Sequence, residues 1–217
     1  MIKLLKFLFN PIEVNTYLVY DETGECIIID AGCFDENENK ILQKAITDNN
    51  LKPKKLICTH GHFDHVMGNH FVCETYGIAA YIHKNELSNF ERAISNSSYF
   101  GLSIMPPPVP DHFVDDGDEI KFGNSSLKVI FTPGHTGGGI CLHSAADEML
   151  FCGDTLFAES IGRTDLPGGN YDVLKDSIKK LIQLPESTAV FCGHGPRTTI
   201  GHEKLANPFV IEIMQQM

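Results

Sequence analysis

The pattern of apolar and polar positions begins with a short apolar run over residues 1–9. Lys6 interrupts this run and no small-residue cleavage site follows it, so a first strand is favoured over a signal peptide. Two β-rich runs, 16–20 and 26–29, then flank a turn cluster that ends in Gly24, which is typical of a β-hairpin. The chain is therefore predicted to open with three strands.

Farther along the chain, helical spacing of apolar residues alternates with short apolar runs. Helices are predicted over 35–49, 66–76 with an end at Gly77, 84–95, 171–184 and 208–216. Strands are predicted over 56–58 and 79–82, and again from Ile120 onward, over 127–131, 149–152 and 189–192. Because strands and helices intermix without a linker or repeat, we predict one α/β domain over residues 1–217.

A proline-rich stretch, Met105-Pro106-Pro107-Pro108-Val109-Pro110, interrupts this alternation. Such a stretch inside a compact chain predicts a rigid, extended loop. It either covers a binding site or is a plain surface connection, and the sequence does not separate these two roles.

Charge and cysteine content narrow the class of protein. The net charge is −11 and the pI is near 5.3, which argues against nucleic acid or an anionic membrane as partner because both favour clustered Lys and Arg. No apolar run approaches the roughly 20 residues that span a bilayer. The seven cysteines are odd in number, scattered, and mostly within apolar runs, as reduced thiols are in the cytoplasm. We therefore expect a soluble, cytoplasmic protein that binds neither nucleic acid nor a membrane.

Candidate chemistry appears where short apolar strands end. Each of four such strands runs directly into a residue that can bind a metal: His60, His135, Asp154 and His194. In the last three cases a glycine comes immediately before that residue, where a sharp turn is needed as the chain leaves the sheet. Loops that leave one edge of a sheet converge, so these residues are expected to share a site.

The segment His60-Gly61-His62-Phe63-Asp64-His65 adds three further candidates, and the seven side chains together predict a centre with two divalent ions. Three imidazoles, those of His60, His62 and His135, would hold one ion. Two imidazoles and a carboxylate would hold the other ion, and these belong to His65, His194 and Asp64. The carboxylate of Asp154 would bridge the two ions. This donor set suits Zn²⁺, which we favour, or Fe²⁺ or Mn²⁺, and ions about 3.5–4 Å apart can share a hydroxide nucleophile.

Other interpretations of these residues are weaker. A single His or Asp after a strand is usually a turn or cap residue, but the whole set is too complete for that explanation. Cys152 precedes Asp154 by two positions and is interpreted as a packed core thiol rather than a ligand. Gly137-Gly138-Gly139 lacks the Lys-Ser/Thr of a P-loop, and no GxSxG marks a serine nucleophile. The remaining histidines, 70, 83, 112, 143 and 202, are placed outside the site.

With HxHxDH followed by distant His, Asp and His, the chain resembles the metallo-β-lactamase superfamily from Asn15 to Pro196. The resemblance implies a four-layer αβ/βα sandwich with the metals at one edge of the sheets. Within the superfamily it is similar to glyoxalase II and especially to its short bacterial relatives, because Asp154 takes the bridging position and the stretch 160–169 is similar to theirs. Arg163 stands where glyoxalase II has a glutathione-binding lysine, so it either binds substrate or forms a structural salt bridge.

The resemblance implies hydrolysis of an acyl thioester, in particular a 2-hydroxyacyl thioester. The bridging hydroxide would attack the carbonyl, Asp64 would ligate and orient it, and Asp154 would bridge the two ions. Only 23 residues follow His194, whereas glyoxalase II has a C-terminal helical extension for its thiol carrier, so the glutathione part of the prediction is open.

Three alternatives to this function remain. A persulfide dioxygenase with one iron would share the ligand pattern and the Gly-Arg-Thr-Asp stretch at 162–165. A β-lactamase or ribonuclease is weakened by the missing ligand cysteine and by the acidic surface. A non-catalytic metal-binding module is weakened by the complete ligand set.

Overall fold

The computed structural model describes residues 1–216, which divide into two compact units. Unit 1 comprises Met1–Val114 and Ile120–Ser126, and unit 2 comprises Asp115–Glu119 and the chain from Leu127 onward. Each unit has its own hydrophobic core and its own set of predicted metal ligands.

Unit 1 is built on a six-stranded sheet. Its strands are β1 (Lys3–Phe9), β2 (Val14–Tyr20), β3 (Glu25–Ile29), β4 (Lys52–Ile57), β5 (Ala80–Ile82) and β6 (His112–Phe113), in the spatial order β1-β2-β3-β4-β5-β6. The first three strands pair antiparallel, and β3 to β6 pair parallel. Since β3 and β4 are parallel neighbours, Asp30 and Thr59 leave the sheet at the same edge, where the HxHxDH segment begins.

The helices of unit 1 are α1 (Glu36–Asp48), α2 (Phe63–Val66), α3 (Asn69–Tyr76) and α4 (Leu87–Tyr99), and a 3₁₀ turn, Lys84–Glu86, precedes α4. Asp35 caps the start of α1, because its side chain accepts hydrogen bonds from the backbone amides of Asn37 and Glu38. The apolar face of α1 buries Leu42 and Ile46 in the core. The helix predicted over 35–49 is confirmed. The helix predicted over 84–95 is also present, but it begins with the 3₁₀ turn and α4 continues to Tyr99.

The helix predicted over 66–76 is instead two helices, α2 and α3, separated at Gly68. The amide of Gly68 donates to the carbonyl of Ala31 at 2.7 Å, and a Cβ at Gly68 would lie 2.3 Å from Sγ of Cys33. This close approach of the backbone fixes the break, and only glycine fits there. The predicted end at Gly77 is confirmed, with φ +62.

The second six-stranded sheet has the order β14-β13-β10-β9-β8-β7, and the boundary between the units falls within β7 and β8. Its strands are β7 (Glu119–Phe122), β8 (Ser125–Phe131), β9 (Ile140–Ser144), β10 (Met149–Gly153), β13 (Ala189–Cys192) and β14 (Thr198–Thr199). A separate antiparallel hairpin consists of β11 (Leu156–Phe157) and β12 (Ser160–Ile161). The predicted strands over 127–131, 149–152 and 189–192 are confirmed, whereas β9 was not predicted.

Unit 2 also contains the helices α5 (Tyr171–Leu181), α6 (Ile200–Ala206) and α7 (Pro208–Gln215). Asn170 caps α5, which packs Leu174, Ile178 and Leu181 into the core of unit 2. Helix α5 ends three residues before the predicted end at 184, and α6 was not predicted. Within residues 1–216, no helix has both the length and the apolar character needed to cross a membrane.

The proline-rich stretch 105–110 lies in a segment without regular secondary structure, as predicted. Two of its apolar side chains are largely exposed, Met105 at 59% and Val109 at 67%. Its role as a cover or as a surface connection stays a prediction.

Candidate metal centre

His60 and His62 occupy the loop that follows β4 in unit 1. Nε2 of His60 lies 3.1 Å from Nδ1 of His62, and the two rings are nearly perpendicular, with 83° between their planes. The spacing of two residues along an extended loop thus brings one nitrogen of each ring to the same point. Two imidazole nitrogens at this separation can bind one ion together.

Asp64 and His65 lie in α2, which begins at Phe63 rather than near Val66 as predicted. Both side chains are buried, and Nε2 of His65 lies 3.7 Å from Oδ2 of Asp64. The ring of His65 also lies close to that of His60, with 4.2 Å between their centroids. Unit 1 therefore presents its four predicted ligands within one small region.

A buried carboxylate, Asp30, orients the histidines of this region. Oδ2 of Asp30 lies 3.0 Å from Nδ1 of His65, and its two oxygens accept hydrogen bonds of 2.7 Å from the amide and the hydroxyl of Thr59. Oγ1 of Thr59 in turn lies 3.1 Å from Nδ1 of His60. Because Nδ1 donates in both rings, each ring directs the lone pair of Nε2 toward a metal.

Sequence reasoning did not identify Asp30 as a site residue. The available signal was an acidic residue directly after the apolar strand β3, at the same kind of strand end as the predicted ligands. Its backbone φ of +52, uncommon for a residue with a side chain, further marks this position as constrained by its surroundings.

A second buried carboxylate, Glu86, holds the loop between His60 and His62. Oε2 of Glu86 accepts hydrogen bonds of 2.8 Å from the amide of Gly61 and from Nδ2 of Asn89, and Glu86 has 0% exposure. A Cβ at Gly61 would lie 2.9 Å from Cβ of Asn89. The start of α4 thus packs directly on this loop and fixes its backbone. Glu86 was also missed by sequence reasoning.

Unit 2 brings together its own three predicted ligands, His135, Asp154 and His194. Oδ2 of Asp154 lies 3.6 Å from Nε2 of His135 and 3.6 Å from Nε2 of His194. This distance is too long for a good hydrogen bond. It is close to the about 3.4 Å that separates neighbouring ligands of a tetrahedral ion with bonds of about 2.0–2.1 Å. One carboxylate oxygen placed equally far from two imidazoles suits a bridging ligand.

Glycines and one backbone carbonyl fix the ligands of unit 2. Nδ1 of His135 donates to the carbonyl of Arg163 at 2.8 Å, so this ring also presents Nε2. Gly134 has φ +130, and a Cβ there would lie 2.3 Å from the amide nitrogen of Leu174. Gly153, before Asp154, has φ +47. The predicted sharp turns are confirmed at these two glycines.

The third predicted turn, before His194, is also present, as a bend at Gly193 where the chain leaves β13. Gly193 does not have a positive φ, whereas Gly195, after the ligand, has φ +73 and forms a second bend. Bends therefore lie on both sides of His194.

The sequence predicts that Arg163 either binds substrate or forms a salt bridge, and in the structure it forms a salt bridge. Its guanidinium donates two hydrogen bonds of 2.7 Å to the two carboxylate oxygens of Asp165, and both side chains are exposed. The hydrogen bond from Arg163 lowers the pKa of Asp165 to about 2 and raises the pKa of Arg163 itself. To bind substrate, Arg163 must therefore break its salt bridge with Asp165 or donate to Asp165 and to the substrate at once.

Cys152 is a core thiol, as predicted. Its Sγ lies 3.0 Å from the carbonyl of Leu156, and burial raises the pKa of this thiol well above its usual range. A thiol held protonated in the core is a poor metal ligand.

These donor sets fit divalent cations. In each unit, imidazole nitrogens lie close to a carboxylate oxygen. In unit 1, Nε2 of His65 is 3.7 Å from Oδ2 of Asp64, and in unit 2, Oδ2 of Asp154 is 3.6 Å from Nε2 of both His135 and His194. Imidazole and carboxylate are the ligands that Zn²⁺, Fe²⁺ and Mn²⁺ share.

Comparisons with known proteins agree with this geometry. The model of the metallo-beta-lactamase superfamily matches residues 10–194. Among curated relatives, the probable metallo-hydrolase YqgX of Bacillus subtilis is 36% identical, over 93% of this chain and 94% of its own. The hydroxyacylglutathione hydrolase GloC of Haemophilus influenzae is also 36% identical, over 90% and 92%.

Solved structures show the same similarity. The B3 metallo-beta-lactamase BLEG-1 has a TM-score of 0.87 and 36% identity, with 97% of this chain and 99% of that chain covered. TTHA1623 in a di-iron-bound form has a TM-score of 0.85 and 36% identity, with 94% and 99% covered. ETHE1 from Myxococcus xanthus has a TM-score of 0.78 and 26% identity, with 98% and 90% covered. The chain has the metallo-β-lactamase fold and belongs to the metallo-β-lactamase superfamily of metallo-hydrolases.

Proposed function

We propose that this protein hydrolyses acyl thioesters, including 2-hydroxyacyl thioesters, at a centre of two divalent metal ions. The observation that carries the proposal is the placement of Asp154, whose Oδ2 lies 3.6 Å from Nε2 of both His135 and His194. A carboxylate at ligand spacing from two imidazoles is a donor that two ions could share in a hydrolytic centre. The 36% identity to a hydroxyacylglutathione hydrolase supports the thioester class.

The proposed ions are Zn²⁺ first, with Fe²⁺ or Mn²⁺ as alternatives. One would be held by His60, His62 and His135, and the other by Asp64, His65 and His194, with Asp154 shared. In this proposed assignment, each ion has ligands from both units. When bound, such ions supply an activated water nucleophile near neutral pH and a Lewis acid for the thioester carbonyl.

The residues of this chain have separate roles in the proposed reaction. Asp64 would accept a hydrogen bond from the attacking water and so orient it. Nδ1 of His65 lies against Asp30 and Nδ1 of His60 against the Thr59 hydroxyl, so both rings would offer the lone pair of Nε2 to a metal. The leaving thiolate has a conjugate acid with a pKa near 8.5, so the reaction needs no dedicated general acid.

The second candidate function is that of a persulfide dioxygenase with one iron. The structural similarity to ETHE1, at 26% identity, and the stretch 162–165 are the observations that favour it. Hydrolysis is preferred because the hydroxyacylglutathione hydrolase is more similar in sequence, at 36% identity.

The test is a substrate panel on purified protein loaded separately with Zn²⁺, Fe²⁺ or Mn²⁺. The panel contains thioesters of glutathione, coenzyme A and a small neutral thiol, and a persulfide assayed for oxygen uptake. We expect thioester hydrolysis that is independent of oxygen and is lost in Asp154→Ala. Full turnover by Asp154→Ala with full metal content would contradict the bridging role. Absence of turnover on every thioester would reject the proposed function.

A further inference from the structure

Unit 2 contains a pocket beside the predicted ligand His194. Its volume is about 350 Å³, in the range of small-molecule sites. The residues that line it are Phe157, Ala158, Ser160, His194, Gly195 and Pro196. One wall is therefore the β11–β12 hairpin, and the other is the loop that follows β13.

Buried hydrogen bonds fix both walls. Glu203 has 0% exposure, and its carboxylate accepts hydrogen bonds from the amide of Glu159 at 2.8 Å and from the hydroxyl of Thr198 at 2.5 Å. Nδ2 of Asn207, also fully buried, donates to Glu203 and to the carbonyl of Ser160. The hairpin and the loop are thus tied to the same helix end, so the pocket is pre-formed rather than a gap between mobile segments.

The chemistry of the pocket is apolar. Phe157, Ala158 and Pro196 supply a ring, a methyl group and a pyrrolidine, and the ring of Phe157 lies 6.3 Å from that of His194. None of the lining residues is a lysine or an arginine. The neighbouring carboxylate, that of Glu159, accepts a hydrogen bond of 3.1 Å from Nε2 of His202.

A thioester has an acyl chain on one side of the carbonyl and a thiol carrier on the other. The common carriers glutathione and coenzyme A bear carboxylates or phosphates, which need cationic partners when they leave water. The lining residues offer apolar surface instead, which rewards burial of hydrocarbon. We propose that this pocket binds the acyl chain, and that the preferred substrates are thioesters with an aliphatic chain of several carbons, with or without a 2-hydroxyl group. This inference rests on the proposed thioester hydrolysis.

The first experiment measures kcat/KM for unbranched acyl thioesters from two to eight carbons on N-acetylcysteamine, a neutral thiol. We expect kcat/KM to rise about fourfold per buried methylene until the chain outgrows the pocket. Phe157→Ala should weaken the dependence of kcat/KM on chain length. Ala158→Leu should fill the pocket, so that kcat/KM stops rising at a shorter chain length while the two-carbon acetyl thioester is still hydrolysed. Val173→Ala, an exposed apolar residue on α5, is the control and should keep the wild-type dependence.

The second experiment does not depend on turnover and measures binding of unbranched alkanoates of two to eight carbons to the metal-loaded protein by calorimetry. The carboxylate is constant in this series, so the increment per methylene reports the pocket alone. An increment that Phe157→Ala and Ala158→Leu reduce supports binding of the chain by this pocket. If such an increment is found but no thioester is hydrolysed, the proposed function and the thioester preference fail, whereas the assignment of the pocket to an aliphatic chain stands. Equal affinity at every chain length, or increments unchanged in both variants, would overturn it.

Discussion

Oδ2 of Asp30 lies 3.0 Å from Nδ1 of His65, and both side chains are buried in unit 1. The same carboxylate accepts two hydrogen bonds from Thr59, whose hydroxyl contacts the ring of His60. One acidic residue that is not itself a predicted ligand therefore sets the ring orientation and protonation of two predicted ligands.

Asp30→Asn should weaken metal binding. The asparagine keeps one acceptor oxygen and presents an NH₂ group in place of the other. In one orientation the hydrogen bond from the Thr59 amide is lost, and in the other the hydrogen bonds from the Thr59 hydroxyl and from His65 are both lost. We expect a loss of about 10–100-fold in metal affinity or activity, the usual effect of removing such a partner. Titration of Zn²⁺ against a competing chelator measures the affinity. Asp48→Asn, on an exposed carboxylate of α1, is the control. Wild-type affinity in Asp30→Asn would show that Asp30 does not position the ligands.

Glu86→Ala should destabilise unit 1, because the amide of Gly61 and Nδ2 of Asn89 would lose a buried acceptor. An unsatisfied buried donor costs about 1–3 kcal/mol in the free energy of unfolding. Glu86→Gln retains an acceptor oxygen and should lie between the wild type and Glu86→Ala. Urea unfolding measures all three, with the exposed Glu74→Ala as reference. If Glu86→Ala unfolds at the wild-type urea concentration, the carboxylate does not hold this loop.

Gly162→Ala tests the packing around Asp154. An added Cβ would lie 2.0 Å from the carbonyl oxygen of Asp154 and 3.1 Å from Cβ of His135, so the ligands must move. We expect a destabilisation of about 1–3 kcal/mol together with weaker metal binding. Gly137→Ala is a matched control, since no heavy atom lies within 4 Å of its Cβ and its φ is not positive. Equal stability and metal affinity of the two variants would contradict this description of the site.

The pair Arg163–Asp165 predicts the pH at which the Asp165 carboxyl titrates. The hydrogen bond from Arg163 lowers the pKa of Asp165 to about 2, below the value near 3.9 of an unfolded aspartate. A lowered carboxylate pKa contributes stability that is present above the unfolded pKa and lost as the pH falls toward 2, and this contribution is small because both side chains are exposed. In an NMR titration of the side-chain carboxyl carbon below pH 5, Asp165 should therefore titrate below the usual aspartate pKa in the wild type and close to it in Arg163→Ala. The same titration midpoint in both proteins would contradict the role of this pair.

Asp165→Asn also tests whether Arg163 binds the thiol carrier. The substitution removes the bidentate partner and makes the guanidinium available to an anionic substrate. If Arg163 binds the carrier, KM for a glutathione thioester should fall, while KM for a neutral-thiol thioester should not change. Arg163→Ala should then raise KM for the glutathione thioester alone. If these substitutions change KM equally for both thioesters, Arg163 does not bind the carrier and has only its structural role.

The sequence predicts those parts of the centre that depend on local patterns. HxHxDH is continuous, and the other ligands follow strand ends, so both are visible without the tertiary structure. Asp30 and Glu86 were missed because their roles depend on hydrogen bonds to partners 25 or more positions away. An isolated acidic residue carries no sign of such a partner.

The same distinction explains the errors in secondary structure. The break between α2 and α3 results from the contact of Gly68 with Cys33, which helical periodicity cannot reveal. Strand β9 was overlooked because Gly137-Gly138-Gly139 precedes its short apolar core, Ile140-Cys141-Leu142. The superfamily and its fold could nevertheless be predicted, because the resemblance rests on motifs spread over most of the chain.

The proposed centre uses two metal ions together for thioester hydrolysis. The most direct measurement is stepwise removal of metal with a chelator, with metal content per chain and thioester turnover determined on the same samples. We predict about two equivalents of metal per chain, turnover that is independent of oxygen and falls as metal is removed, and recovery on adding Zn²⁺. One iron per chain, rapid oxygen uptake with a persulfide and no thioester turnover would contradict the account.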